Sequence, residues 1–588
     1  MMQKKKRIKI FSILFAFLIV FQNVEVSAAQ QTLPSGIQSD QLEEEIDSFV
    51  REHEDTTAGM AVAVFDQSDE LLKNYYGYVD KEKEIPVEAD SVFEWGSTTK
   101  LLVWVSVMQL YEQGKLDLKK DIRTYLPEGF LTNLSYDTPV TMLNLMNHNA
   151  GFQEVYADLF VKDVSDISGL GDALKQHEPE QIYEPGTVTA YSNWGVALAG
   201  FIVEQISGMS FSDYVHQNIF EPLGMEHSAL YMDLSDNTWV QEKRQELQCY
   251  MPTGELIPDC FYYITLYPAG MCTSTLDDFE TFARALLDED SILFQKQETR
   301  EEMFAPTTYF GQTEVPMNCH GFWMVPFGVQ TIGHGGNTAG CSSYLLLDIT
   351  DGIGAVVMTN EAAESTYNSK MMELIFGTFE RSNYMTEDEV PSGIYRPART
   401  VRKGPFKFLS MSFSMGEVDN NLLWAADDST GLRKIVYSYG DDVEVPTAEF
   451  VLEMGLFLLW IAAIAFSLIS LIVRLIAALV RKLRKKESAK KTLGKWSIAA
   501  GLLQLLVMVL LFAVIVCVSA YVRWNAYVWL FAVFGILALV MAGMSVYGIV
   551  KNRGAMLKTR QKVFNYFTVA FMVVTVANIL YWNLFMFW

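Results

Sequence analysis

The sequence predicts an α+β fold: an antiparallel sheet with flanking helices beside a mostly helical lobe, then a small β subdomain and a four-helix transmembrane region. Three observations predict it. Short alternating apolar runs, "GMAVAVFDQSDELLKNYYGYVD" early in the chain and "HGFWMVPFGVQTIGHGG" with "CSSYLLLDITDGIGAVVMTN" much later, read as strands enclosing a helical and loop-rich middle. Four apolar segments, each long enough to cross a bilayer, crowd the C-terminal end. Charge divides the chain at the same place: residues 30–448 hold 25 Lys+Arg against 66 Asp+Glu, whereas residues 449–588 hold 15 against 3.

Taken in order, residues 1–29 combine a basic start, a short apolar core and a small-residue end, with a cut near Ala28 or Ala29. That is the pattern of a secretory signal peptide. Residues 30–385 form the α+β unit. Within it "STTKLLVWVSVMQLYEQG" reads as a helix from Ser97 to a C′ glycine at Gly114, and "YSNWGVALAGFIVEQISG" as an amphipathic helix. "TSTLDDFETFARALL" is a third helix with its own cap. Residues 386–448 carry short alternating runs punctuated by Gly, Pro and Asp, the mark of a small β subdomain or, failing that, an extended linker.

Residues 449–588 hold the spans, at about 452–473, 497–520, 527–550 and 563–584. Their loops set the orientation. "RKLRKKESAKKTLGK" and "KNRGAMLKTRQK" are basic, while "YVRWNAY" between the second and third spans carries only Arg523. Positive-inside bias makes the basic loops cytoplasmic and puts the N-terminal unit outside. The expectation is a multi-pass cell-membrane protein with an extracytoplasmic domain.

The acidic outer unit has no basic stripe to neutralise phosphates, which argues against nucleic acid as a partner. The cysteines, Cys249, Cys260, Cys272, Cys319, Cys341 and Cys517, show no zinc spacing, so neither a metal nor a cofactor is expected. Five of them lie outside the membrane, an odd number, so no complete disulfide framework can be read; a Cys249–Cys260 bridge is one pairing left open.

Three motifs carry chemistry together and little singly. Ser97-Thr-Thr-Lys100 has a decoy at Ser488–Lys491, and Tyr191-Ser-Asn193 has one at Tyr581–Asn583. The decoys fall on opposite sides of the membrane. Ser97 and Tyr191 share the outer unit, and that pair alone is followed by a strand bearing His334-Gly335-Gly336. With the flanking "TPVTMLNLMNHNAGF", "FEPLGMEHS" and "PAGMCTSTLDDFETFA", these elements resemble the class C β-lactamase and penicillin-binding serine hydrolase family over about residues 40–382. The resemblance implies a two-lobed fold, an antiparallel sheet with flanking helices plus an all-helical region, with the site in the cleft between. It does not cover the spans.

A serine hydroxyl is a weak nucleophile and needs a base. Lys100 lies one turn from Ser97, and the resemblance adds Tyr191. A neighbouring ammonium would lower the tyrosine value and burial the lysine value, so either could take the Ser97 proton. Two backbone N–H groups, those of Ser97 and Asn337, would hold the oxyanion. Gly335 and Gly336 allow close approach of substrate to the strand edge, and Asn193 can bond its amide. Many family members carry Lys-Thr-Gly where this chain has His334-Gly335-Gly336. Histidine is only partly charged near pH 7, which makes β-lactam destruction a poorer expectation than hydrolysis of peptides. The expectation is therefore a serine hydrolase acting through a Ser97 acyl-enzyme on D-amino-acid-containing peptides outside the membrane. An esterase, or a covalent β-lactam receptor, is the alternative.

Overall fold

The computed structural model describes residues 31–385, 392–401, 407–408, 410–419, 422–484, 492–554 and 556–586. The signal-peptide segment and most of the first basic loop lie outside the described residues, as does the boundary at 386.

A nine-stranded sheet organises the N-terminal α+β unit. Its strands are β1 (Gly59–Asp66), β2 (Glu70–Asp80), β3 (Ile85–Pro86), β4 (Thr308–Tyr309), β5 (Pro316–Cys319), β6 (Phe322–Pro326), β7 (Gln330–Asn337), β8 (Ser342–Asp348) and β9 (Ile353–Thr359). The order is β4-β5-β6-β7-β8-β9-β1-β2-β3, with antiparallel neighbours throughout. Chain ends thus meet at the centre, where β1 pairs with β9 from Met60↔Thr359 to Asp66↔Ile353. Side chains alternate across a strand. Met60, Val62 and Val64 therefore face Leu42 and Ile46 of helix α1 (Leu42–Glu52), while Ala61, Ala63 and Phe65 join the core shared with the helical lobe. Covering both faces explains why β1 reads as a continuous apolar run.

The helical lobe is built on α2 (Lys100–Glu112) and α3 (Asn193–Ser207), each almost wholly buried along its middle. α2 begins later than its sequence suggests. Gly96–Thr99 is a 3₁₀ turn, in which residues three apart eclipse one another. That geometry aligns Ser97 with Lys100.

Residues beyond the sheet form a second, four-stranded antiparallel sheet. β10 (Tyr395–Pro397), β11 (Trp424–Asp427), β12 (Lys434–Tyr437) and β13 (Gly440–Glu444) lie in the order β10-β13-β12-β11. It docks on the loop before α3. Asp441 Oδ2 accepts from the Thr189 amide (2.9 Å) and from Lys434 Nζ (2.9 Å), and Lys434 Nζ also donates to the Thr187 carbonyl (2.8 Å).

Among the described residues, four C-terminal helices are long and apolar enough to cross a membrane: α4 (Thr447–Leu483), α5 (Gly494–Ser519), α6 (Trp524–Gly554) and α7 (Thr559–Tyr581). They touch the α+β unit. Asp158, with its side chain almost wholly buried, accepts from the Trp524 amide (2.7 Å), and Arg523 reaches Asp166 at 2.5 Å. Burial favours the neutral form of Asp158, but bonds from His177 and Trp524 and the Arg523 charge outweigh it and hold the carboxyl below its ordinary value.

The six cysteines are free, so the Cys249–Cys260 bridge is not formed. Both thiols instead approach Arg244 Nη2, at 3.9 and 3.7 Å, beside its buried ion pair with Glu94.

Candidate active site

The site begins with an unusually close approach of backbones. A Cβ on Gly336 would stand 1.8 Å from the Trp95 carbonyl oxygen, and one on Gly96, at φ +54°, 2.5 Å from the Asn337 nitrogen. Only glycine fits at these two places. Their absence of side chains lets the end of β7 lie against the turn that carries Ser97, so that the Asn337 amide sits beside it.

Lys100 Nζ donates to Ser97 Oγ (2.8 Å) and to the Ala269 carbonyl (2.5 Å). Its side chain is fully buried, with no carboxylate in bonding contact. Burial therefore drives the ammonium's pKa well below the usual lysine range, Arg399 pushing the same way and Glu154 partly opposing.

Tyr191 closes the triangle, lining the same cavity as Ser97. Its ring lies 5.0 Å from Lys100 Nζ and stacks on His148 (4.4 Å, 15°). The turn that presents it is pinned locally: Ser192 N donates to His148 Nδ1 (3.0 Å), and Ser192 Oγ caps α3 by accepting from Gly195 N (3.0 Å). Asn193 is the first residue of that helix. The expectation that a neighbouring cation lowers the phenol's pKa does not hold here. Burial dominates and raises it, against the Ser97 hydroxyl and the Arg399 charge.

His334 also differs from expectation. Nδ1 donates to the Gly335 carbonyl (2.6 Å), which fixes the tautomer and leaves Nε2 an acceptor, buried and without a partner. Burial and then the Lys100 charge push the ring down to about 3, so it is neutral at pH 7, not partly charged.

Ser97, Tyr191, Asn193, His334, Gly335, Gly336 and Asn337 line one cavity of about 620 Å³, within the range for small-molecule sites. Lys100 sits beneath its floor, bonded to Ser97. Three further contributions come from regions without motifs. Tyr439 and Arg399 enter from the second sheet and its approach, and Val518 and Tyr521 from the junction of α5 and α6. Nothing in "RPART" or "YVRW" marks those residues; the folded chain alone brings them to Ser97. Among the described residues no cluster of three His, Cys, Asp or Glu could hold a metal.

An antiparallel sheet, a helical lobe and a Ser–Lys–Tyr centre in the cleft define a serine hydrolase of the β-lactamase and penicillin-binding-protein kind. The model of the Beta-lactamase family matches residues 46–376, more than half of the chain, and the chain belongs to that family. Penicillin-binding protein 4* of Bacillus subtilis is 23% identical over 329 residues, covering 53% of this chain and 70% of that protein. Penicillin-binding protein 4 of Amycolatopsis lactamdurans is 26% identical over 361 residues, covering 57% and 88%. Among solved structures, D-amino acid amidase of Ochrobactrum anthropi superposes with a TM-score of 0.48 at 23% identity, over 57% of this chain and 97% of that one. The family match stops at 376, short of Arg399, Tyr439 and the spans.

Proposed function

We propose that the protein is a membrane-bound, extracytoplasmic hydrolase that cleaves amide bonds in D-amino-acid-containing peptides through an acyl-enzyme on Ser97. One observation carries the reading: a fully buried lysine amine, stripped of carboxylate partners, bonded to a serine hydroxyl at the cleft floor.

In this reading Ser97 Oγ attacks the scissile carbonyl carbon while its proton passes to the free amine of Lys100. The amides of Ser97 and Asn337 receive the oxyanion. As the C–N bond breaks, the leaving nitrogen takes the proton back, with the neutral Tyr191 hydroxyl placed to relay it. Water then attacks the Ser97 ester while Lys100 accepts its proton, and Lys100 returns that proton to Ser97 Oγ as the acyl C–O bond breaks. Neutral His334 offers an acceptor for a substrate N–H. Relatives that bind penicillin, itself a strained cyclic amide, support an amide as the bond attacked. The basic loops after α4 and α6 support an outside location for the hydrolase domain. Val518 and Tyr521 put the cleft beside the membrane helices, which suits a substrate met at the bilayer surface.

The test offers full-length protein and its Ser97→Ala variant a panel of D-Ala-D-Ala peptides, N-acyl-D-amino-acid amides and short esters, followed by intact mass. Peptide turnover by wild type alone supports the reading. Turnover of esters only makes the protein an esterase, and a persistent adduct makes it a receptor. Equal turnover by both proteins removes Ser97 from the chemistry.

A further inference from the structure

Just before the first span the chain passes the cleft, and one residue of that segment turns into it. Ala398 and Thr400 are both buried and fixed by backbone bonds: Ala398 N donates to the Asp441 carbonyl (2.7 Å), and Glu154 N to the Thr400 carbonyl (3.2 Å). Arg399, between them, lines the cavity with Ser97 and keeps 39% of its side chain exposed. Its guanidinium is held along one edge. Nε and Nη2 donate to Glu154 Oε2, at 2.8 and 2.7 Å, and the Glu154 carboxylate is completely enclosed. Glu154 is anchored in turn, since Oε1 accepts from the Val155 amide (2.9 Å). The charge centre of Arg399 lies 4.9 Å from the Tyr191 ring, the same ring that Lys100 borders at 5.0 Å.

We propose that Arg399 is the anion-binding residue of this cleft and recognises a free carboxylate on the peptide substrate, one or two residues from the scissile carbonyl. This rests on the hydrolase reading above. The residues themselves leave few alternatives. His334 is neutral, and Lys100 is enclosed and committed to Ser97 and Ala269. Arginine stays charged under all working conditions, and its planar fork matches a carboxylate. Glu154 holds the Nε and Nη2 side of the fork, and no hydrogen bond from Nη1 exists among the described residues. An enclosed, orienting carboxylate on one edge and a guanidinium that lines the cavity make a built site. One residue of extended chain spans about 3.5 Å, so a peptide with its carbonyl at Ser97 brings a nearby carboxylate past Tyr191 to this guanidinium. The cation then comes from outside the family's matched region, and from a different layer of the fold.

The experiment measures binding first, so that it does not depend on turnover. Full-length Ser97→Ala protein in detergent is titrated by calorimetry with N-acetyl-D-Ala-D-Ala and with its C-terminal carboxamide. The free acid binds at least tenfold more tightly, and Ser97→Ala/Arg399→Ala loses that preference while Ser97→Ala/Arg399→Lys keeps part of it. On the Ser97 background, Arg399→Ala raises KM for the acid far more than for the carboxamide. Equal affinity for acid and carboxamide in Ser97→Ala overturns the proposal, as does a preference that survives Arg399→Ala. A wild type that shows the binding preference but hydrolyses neither peptide refutes the hydrolase reading and leaves the anion site standing. Thermal melting of each variant separates a lost site from a lost fold, and a melted Arg399→Ala protein passes the decision to Arg399→Lys, whose unchanged preference would also overturn the proposal.

Discussion

Two regions build this cleft, and they handle charge in opposite ways. The floor, from the family's fold, places Lys100 in complete burial without a carboxylate, so its amine is driven toward the neutral form. The wall, from the segment before the first long apolar helix, places Arg399 half in solvent against the enclosed carboxylate of Glu154, and its charge is reinforced. A buried cation without a partner is a base; a paired cation at a surface is a recognition element. The difference teaches that chemistry and selectivity are carried by separate stretches of the chain, one within residues 46–376 and the other beyond them.

The strongest way to break the comparison is at the floor. Ser97→Ala should reduce peptide hydrolysis to background, and Lys100→Met should lower kcat/KM by about 10³-fold or more, since it removes the base and leaves the hydroxyl unassisted. The pH profile sharpens this. Because the free amine is the working form, kcat/KM should rise with pH through the Lys100 value and plateau well below lysine's ordinary range of about 10.4. An acidic limb that stays at that ordinary value would remove Lys100 as the base.

Tyr191→Phe tests the other candidate. The tyrosine's raised pKa makes it a neutral hydroxyl at rest, so its loss should cost about 10²-fold in kcat, less than loss of Lys100. A larger loss than that of Lys100→Met, measured on the same substrate, would exchange their roles.

How much of this was legible beforehand follows the same division. The floor was readable because its constraints are local. Ser97 and Lys100 are three residues apart, the Tyr191 turn carries its own serine cap, and the glycine pair announces a close backbone approach. The sheet was readable for a related reason: β1, β8 and β9 are apolar on both faces because helices cover both. The protonation states were not, since they depend on burial that no spacing reveals; His334 is neutral and Tyr191 raised, against expectation, for that reason alone. The wall was invisible. Arg399 reaches Ser97 only because Asp441, more than forty residues later, pins the second sheet to Thr189, which lies before α3. Long-range docking of that kind leaves no pattern in a single sequence.

That docking can be broken directly. Lys434 and Asp441 form an enclosed pair within the second sheet, and both bond the backbone of the loop before Tyr191. Lys434→Met leaves the buried Asp441 and Asp427 carboxylates without their cation and should destabilise by about 3–5 kcal/mol. The double variant Lys434→Met/Asp441→Asn should regain part of the loss, because one of the two unpaired charges is gone while Asp427 keeps the other. Thermal melting of the full-length protein reads both. Equal melting of the single and double variants would show that the pair does not hold the wall in place.

The smallest expected effect lies at the membrane junction. Asp158 accepts the Trp524 amide and faces Arg523, and this contact sets Tyr521 against Phe160 (5.1 Å) and Tyr262 (4.8 Å) at the rim of the cavity. Asp158→Asn keeps the shape and removes one of the two carboxylate charges that face Arg523, the other being Asp166. A hydrogen bond to a charged group contributes about 1.5–3 kcal/mol, so the junction should loosen without unfolding. Hydrolysis of a short peptide, which the floor and Arg399 hold between them, should then fall only a few-fold and through KM. A substrate bearing an apolar tail long enough to reach Val518 and Tyr521 should lose more, because that part of the rim alone has moved. Equal losses for short and tailed substrates would mean that the membrane helices shape the cleft without touching what it binds.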